Sequence, residues 1–460
     1  MPVPVQKLPK NSRIDGVKRE FIEKFETHPE FFVRLPGRVN LIGEHIDYCG
    51  YGVCPMALDQ DIFLAVASQE PEKLILHNTD TKFEKFECDF ENISISLDPS
   101  GPKWHQYFMC GVKGIMDILD QSQKNQIKGL LVLVHGTVPQ SAGLSSSSAL
   151  VSAAALATAH AFGLSLTKEK LADLCASCER YIGTQGGGMD QAIAFLAKEG
   201  CAKLIEFEPL RSTEVKLPQG AVFVVAHSLS KMNKAATADF NCRVVECRLA
   251  AQILSKKLGL DWTKIKRLGD LQSKLNLDLD EMIALAKQHL KETTYSKDEI
   301  IRALETNAVE LESISLTPNT KDIQNFKLFP RAYHVFNEAK RVAEFYKTCQ
   351  NHGGGESALV TLGSLMRQSH ESLRDLYECS HEQLDKIVEL SKDFTLGTRL
   401  TGAGWGGCTV SLVAPDKVED FLEHMRENFY KPMGVSDNFD MVLFKTAPQG
   451  GACIFIEKEL

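Results

Sequence analysis

Residues 36–52 read PGRVNLIGEHIDYCGYG. Within ten positions the chain places Arg38, Asn40, Glu44, His45 and Asp47, with glycines at 37, 43, 50 and 52. Apolar sequence flanks the stretch on both sides, FFVRL before it and VCPMAL after it. On local chemistry alone this is a polar turn whose glycines permit close backbone approach. FFVRLPGRVNLIG reads as strand, turn, strand.

Further out, DIFLAVASQE and KLILHNTD alternate with period two and read as strands, and WHQYFMCGVKGIMDILDQ reads as a helix. GLLVLVHGTVP is a strand followed directly by PQSAGLSSSSAL (139–150) and the small-residue helix ALVSAAALATAHAF. A strand entering and a helix leaving make this loop a candidate phosphate cradle. Gly143 allows a ligand close to the backbone, and Ser145 to Ser148 stand where the free N–H groups of a helix N-terminus point. One serine would satisfy a helix cap; four exceed that need.

The glycine loop GTQGGGMD ends on Asp190, a candidate ligand-facing carboxylate that could equally cap the helix QAIAFLA. Glu179 lies eleven residues earlier, on the helix leading into that loop. It could hold Mg²⁺ together with a serine hydroxyl, or be a solvated helix charge. CAKLIEFEPL and GAVFVVAHSL are strands, KLFPRAYHVFNEAKRVAEFYKTC is a long helix, and GTRLTGAGWGGCTVSLVAP gives strand, glycine turn, strand. Residues from about 255 to 325 are charged and helical and read as an insertion. NHGGGESAL (351–359) reads as a surface loop. The whole is α+β in two lobes.

Several classes are excluded or disfavoured. No GxxxxGK[ST] appears, and neither HRD nor DFG, so this is neither a P-loop enzyme nor a protein kinase. GAGWGG (402–407) matches GxGxxG in form, but a strand follows it where a dinucleotide site needs a helix. The 460 residues are 43% hydrophobic and 24% charged, with a net charge of -8, which argues against a generic nucleic-acid or membrane binder. Cys175 and Cys178 form the single CxxC, on an amphipathic helix, and read as helix cysteines rather than a zinc site. Thirteen scattered cysteines fit a reducing, cytoplasmic setting. The N-terminus has no apolar leader segment and no run is long enough to span a membrane.

Three segments then combine. GRVNLIGEHIDYCGYGVCPMAL (37–58) resembles the galactokinase signature over its whole length, PQSAGLSSSSAL resembles the second motif of the GHMP kinases, and LTGAGWGGCTVSLV (400–413) resembles their third. Order and spacing match along nearly the full chain. Within the family the chain is similar to the N-acetylgalactosamine kinase branch, through GGGMDQAIAFLAKEGCAKLIEFEPL, KMNKAATADFNCRVVECRLAA and the insertion. Cys49, where galactokinases commonly have asparagine, points the same way.

The resemblance implies the two-lobed GHMP kinase fold. Its N-terminal lobe, ribosomal-S5-domain-2-like, would take residues 1–215, and its ferredoxin-like C-terminal lobe, with the helical insertion, 216–460. The implied activity is ATP-dependent phosphorylation of the anomeric hydroxyl of N-acetylgalactosamine. Galactokinase is the alternative, followed by a non-catalytic sensor of sugar and ATP. Arg38 and Asp190 would be catalytic. Arg38, Glu44, His45, Asp47, Gly188, Asp190 and Phe240 would contact the sugar. Trp104, Gly143, Leu144, Ser145, Ser146, Ser147, Asn233 and Lys234 would bind ATP, and Ser147 and Glu179 would hold Mg²⁺. Phe240 stands where galactose-specific members typically have a tyrosine, so a sugar-facing hydroxyl is missing. The expected partners are a small sugar and ATP, with no nucleic acid or membrane, and the expected state is a monomer.

Overall fold

Phe31–Ile42 forms one unbroken strand in the computed structural model, which describes residues 1–70, 72–90, 93–96, 101–124, 126–230, 238–351 and 355–457. The turn expected at Pro36-Gly37 does not form. A Cβ on Gly37 would lie 3.0 Å from the Leu144 carbonyl oxygen and 3.1 Å from both Val138 methyls. The next residue, Arg38, donates its backbone N–H to that same carbonyl at 3.1 Å. Gly37 is therefore small because another backbone passes beside the strand, not because the chain reverses.

The chain divides into two compact units: Met1–Val39, Met56–Ala202 and Ala447–Leu460 form the first, and Asn40–Pro55 and Lys203–Thr446 the second. This differs from the simple division at residue 215. The C-terminal strand Cys453–Ile456 pairs parallel with Val5–Lys7 and antiparallel with Phe31–Ile42, which returns the chain's end to the first unit. The stretch around Gly43 bonds to residues of the second: Val53 pairs with Ile205, and the Gly43 N–H reaches Glu338.

The second unit holds a four-stranded antiparallel sheet in the order Gly397–Thr401, Cys408–Val413, Val222–His227, Leu443–Thr446. Its core gathers Val224, Ala226, Val413, Phe421, Met425 and Phe429. The insertion contains the short helices Leu268–Leu275, Leu279–His289, Lys297–Leu304 and Ala308–Ile314, with a two-residue strand pair beside them. The long helix runs Leu328–Gln350. NHGGGESAL is not wholly loop: Gly355 already opens the helix Gly355–Asp375, because ESALVTLGSLM continues an apolar helical stripe. Among the described residues no helix is long and apolar enough to cross a membrane, and no cluster of three or more His, Cys, Asp or Glu is placed to hold a metal. Cys175 and Cys178 are buried free thiols.

The first unit contains a seven-stranded sheet in the order Val5–Lys7, Cys453–Ile456, Phe31–Ile42, Cys54–Gln69, Gly129–Gly136, Lys73–Asn78, Phe86–Asp89. The helix Ser12–Phe25 covers part of it with Ile14, Val17 and Phe21. The helices Trp104–Ile118 and Ser146–Ala161 pack together so closely that a Cβ on Gly111 would sit 2.2 Å from the Val151 carbonyl oxygen and 2.7 Å from the Ala155 nitrogen. The alanine-rich sequence of the second helix is what permits this approach, and every residue from Ser148 to Ala159 is buried. Gly111→Ala therefore drives a methyl into two backbone atoms that cannot yield. We expect about 3 kcal/mol of destabilisation, read as a lowered urea midpoint. An unchanged midpoint would show that the helices are not in backbone contact.

Candidate active site

In the first unit a strand, a serine loop and a short helix bring their polar groups together. Arg38, on the strand Phe31–Ile42, is buried. Its Nε donates to Asp190 Oδ1 at 2.7 Å, and a terminal nitrogen donates to the Gly143 carbonyl at 2.5 Å. A guanidinium taken out of water needs such partners. Asp190 lies in the first turn of the helix Met189–Leu196, whose N-cap is Gly188 at φ 103° with no side-chain cap. The capping alternative for Asp190 is thus not what the structure uses.

The serine run opens the helix Ser146–Ala161. Ser145 is its N-cap in the left-handed region at φ 61°, and Gly143, at φ 71°, is left-handed too. Ser145 makes no side-chain capping bond, and among the described residues its buried Oγ has no hydrogen-bond partner. An orphaned hydroxyl beside the unpaired N–H groups of a sixteen-residue helix fits an anion such as a phosphate. The serine that reaches Glu179 is Ser148, not the expected Ser147. Ser148 Oγ stands 2.9 and 3.1 Å from the two Glu179 carboxylate oxygens and 3.4 Å from Asp190 Oδ2. The helix sets this choice: Ser148 is the serine turned into the buried face. Gln191 donates to Glu179 as well, a contact the sequence reading missed although it neighbours Asp190. Two carboxylates and a hydroxyl are an oxygen donor set suited to Mg²⁺, which keeps several ligands for water and phosphate. Trp104 opens the helix Trp104–Ile118, half-buried, its Nε1 donating to the Glu84 carbonyl and its ring 5.6 Å from that of Phe83. Leu144 is buried, its carbonyl committed to Arg38. Ser146 and Ser147 are half-buried at the helix start. Asn233 and Lys234 lie outside the described residues.

The second unit carries the acidic part of the opening stretch. Glu44 is buried; its Oε1 accepts from the Gly402 N–H and its Oε2 from the Asn40 amide, with an Arg399 nitrogen at 3.6 Å. His45 is also committed. Its Nε2 lies 2.9 Å from the Ala403 carbonyl, which can only accept, so Nε2 carries a proton and donates. In the neutral ring Nδ1 then accepts from the Tyr48 hydroxyl at 2.7 Å, and Tyr48 meets the Tyr377 hydroxyl at 2.6 Å. Burial pushes both phenols well above the usual tyrosine range, so they stay protonated. Tyr48 and Tyr377 were not foreseen; Tyr48 sat unremarked inside the motif, and Tyr377 is distant in sequence.

Asp47, half-buried, opens the short turn Asp47–Cys49. Phe240 is buried with its ring 5.7 Å from His45 and 5.6 Å from Tyr48, packed with Val244, Ala403 and Trp405. The glycine turn 402–407 has a positive φ at Gly402, Gly404, Trp405, Gly406 and Gly407. A Cβ on Gly404 would lie 1.9 Å from the Cys379 carbonyl oxygen, so this loop exists for close backbone contact.

Comparison with known proteins adds names to this geometry. The galactokinase galactose-binding signature matches residues 19–68, the GHMP kinases N terminal domain residues 110–198, and the GHMP kinases C terminal domain residues 355–431. A galactokinase of Dictyostelium discoideum is 39% identical, across 93% of this chain and 90% of its own length. One of Saccharomyces cerevisiae is 33% identical, across 97% and 95%. The crystal structure of Lactococcus lactis galactokinase complexed with galactose superposes with a TM-score of 0.74 at 24% identity, covering 96% of this chain and 99% of that one.

Proposed function

The chain belongs to the galactokinase family of GHMP kinases, and from that premise we propose that it transfers the terminal phosphoryl group of ATP to the anomeric C1 hydroxyl of a galactose-configured sugar. Membership makes it a sugar kinase with ATP as co-substrate. The observation that carries the finer reading is the Arg38–Asp190 pair set beside the serine helix N-terminus.

In this reading the sugar oxygen attacks the γ-phosphorus, the bond to the β-phosphate oxygen breaks, and ADP leaves. Phosphoryl transfer asks the protein for positioning and charge stabilisation more than for covalent chemistry. The N–H groups of Ser146–Ser148 and the orphaned Ser145 hydroxyl receive phosphate oxygens. Arg38 offsets the charge that develops on the transferring group. Asp190 Oδ2 orients the C1 hydroxyl and takes its proton. The residues that would hold Mg²⁺ are Glu179 and Ser148, where the ion would neutralise phosphate charge.

Two sugars compete. Galactose is the first reading, because relatives that match along the whole chain are galactokinases; the expectation of N-acetylgalactosamine finds no such support among them. Phe240 favours N-acetylgalactosamine as the second reading. A buried phenyl ring beside His45 and Tyr48 offers a sugar no hydroxyl, where the galactose-specific pattern supplies one.

Release of ADP with each sugar, compared as kcat/KM, tests the reading. Release with neither would sink catalysis and favour a sensor. Phe240→Tyr is expected to raise the galactose to N-acetylgalactosamine ratio of kcat/KM by about tenfold, the worth of one added hydrogen bond; an unmoved ratio removes Phe240 from specificity. Asp190→Asn should lower kcat by about 10³ while sugar affinity stays within a few-fold. A near-normal kcat in that variant rejects the assignment. Ser148→Ala should raise the Mg²⁺ concentration for half-maximal rate about tenfold, and Ser147→Ala should not. The opposite pattern would restore Ser147 as the metal serine.

A further inference from the structure

The opening stretch is held by side chains of which all but Thr401 lie outside the three motifs. Its backbone is gripped at four groups within the second unit. The Asn40 N–H donates to Thr401 Oγ1 at 2.9 Å, and the Asn40 carbonyl accepts from an Arg399 nitrogen at 2.6 Å. The Gly43 N–H donates to Glu338 Oε1 at 2.9 Å. The Glu44 carbonyl lies 3.2 Å from His334 Nε2. A carbonyl only accepts, so that nitrogen carries the ring proton, and Nδ1 accepts from the Ser372 hydroxyl at 2.8 Å.

These holding groups are themselves held. His334, Glu338 and Arg341 share one face of the helix Leu328–Gln350 at spacings of four and three. Glu338 Oε1 also accepts from the Ser369 hydroxyl at 2.7 Å, and Oε2 from Arg341 Nε at 2.7 Å. Arg399 Nε donates to that same Ser369 oxygen at 3.2 Å. His334, Glu338, Ser369 and Arg399 are all inaccessible to solvent. Burial pushes the Glu338 carboxyl up, but Arg341, His334 and Arg399 outweigh it and hold the group down at about 2, so it remains an acceptor. Burial lowers His334 to about 4, which keeps the ring neutral with its single N–H on Glu44. Gly43, at φ 102°, cannot move aside: a Cβ there would meet Val342 at 2.9 Å and the Val53 backbone at 3.1 Å.

We propose that Glu338, His334 and Arg399 are positioning residues for sugar recognition: they fix the backbone of residues 40–45 and thereby the aim of Glu44, His45 and Asp47. The buried ion pair is retained because an apolar replacement offers nothing to the Gly43 N–H, whatever it does for stability. The role in sugar recognition rests on the sugar-kinase reading; the grip on the turn does not.

The test uses two isosteric pairs in the full chain. His334→Phe keeps a ring against Tyr377, whose centroid lies 4.6 Å away, but removes the donor; His334→Gln keeps an N–H at the same reach. Glu338→Met removes the acceptor for Gly43, and Glu338→Gln keeps one. The Phe and Met variants should raise KM for the better of the two sugars about tenfold while KM for ATP stays within about twofold; the Gln variants should recover most of the loss. Equal shifts in both KM values, or Gln variants no better than Phe and Met, overturn the proposal. If Glu338→Met does not fold, the His334 pair decides alone. Amide exchange over residues 40–47 separates this proposal from the functional one. Protection there should fall in His334→Phe and be retained over 139–148. Unchanged exchange at 40–47 overturns the proposal even in an active enzyme, and lost protection in a chain that phosphorylates neither sugar leaves the grip standing while the kinase reading fails.

Discussion

A buried guanidinium is the constraint around which the first unit is arranged. Arg38 sits in the strand Phe31–Ile42 with almost no solvent contact, and a cation there is tolerable only with close partners. Asp190 supplies the charge and Gly143 a carbonyl. That requirement draws together a strand, the serine loop and the start of the helix Met189–Leu196. The Leu144 carbonyl, accepting from the Arg38 N–H, fixes how near the loop lies to the strand. Gly37 is the residue that makes such nearness possible. The ion pair is thus a structural fastening of the first unit.

The second unit solves a related problem by other means. Glu44 and His45 are polar groups in an apolar setting, and each is satisfied by residues far away in sequence: Gly402, Arg399 and Ala403. The glycine turn 402–407 is what brings backbone donors and acceptors that close. Helix Leu328–Gln350 then clamps the neighbouring backbone through His334 and Glu338. Each partner supplied to such a network matters, since an unpaired polar group in low dielectric is costly. Anchors at Asn40, Gly43 and Glu44 together restrict the backbone of the stretch.

The signature of residues 37–58, the serine run and the third glycine motif were legible as motifs, and with them the family and the α+β class. Other features were misread for identifiable reasons. Pro36-Gly37 carries turn chemistry, yet Gly37 answers a close approach by a loop a hundred residues on, which no local pattern encodes. Four serines in a row are equivalent on paper; helix phase and burial select Ser148 for Glu179. His334 and Glu338 were not singled out within the long helix, because their partners Ser369 and Ser372 and the backbone they hold are set by packing.

The sequence by itself determined which chemical groups this protein possesses and the order in which they come, because motifs are local and residue types set what can donate, accept or carry charge. Tertiary structure decided which of those groups meet. Asp190 is bound to Arg38 rather than capping its own helix, His45 has both ring nitrogens engaged, and Glu338 holds the Gly43 N–H. Each of those partnerships joins residues separated by long stretches of chain, apart from Tyr48 beside His45. They form because burial makes an unpaired polar group too costly to leave alone.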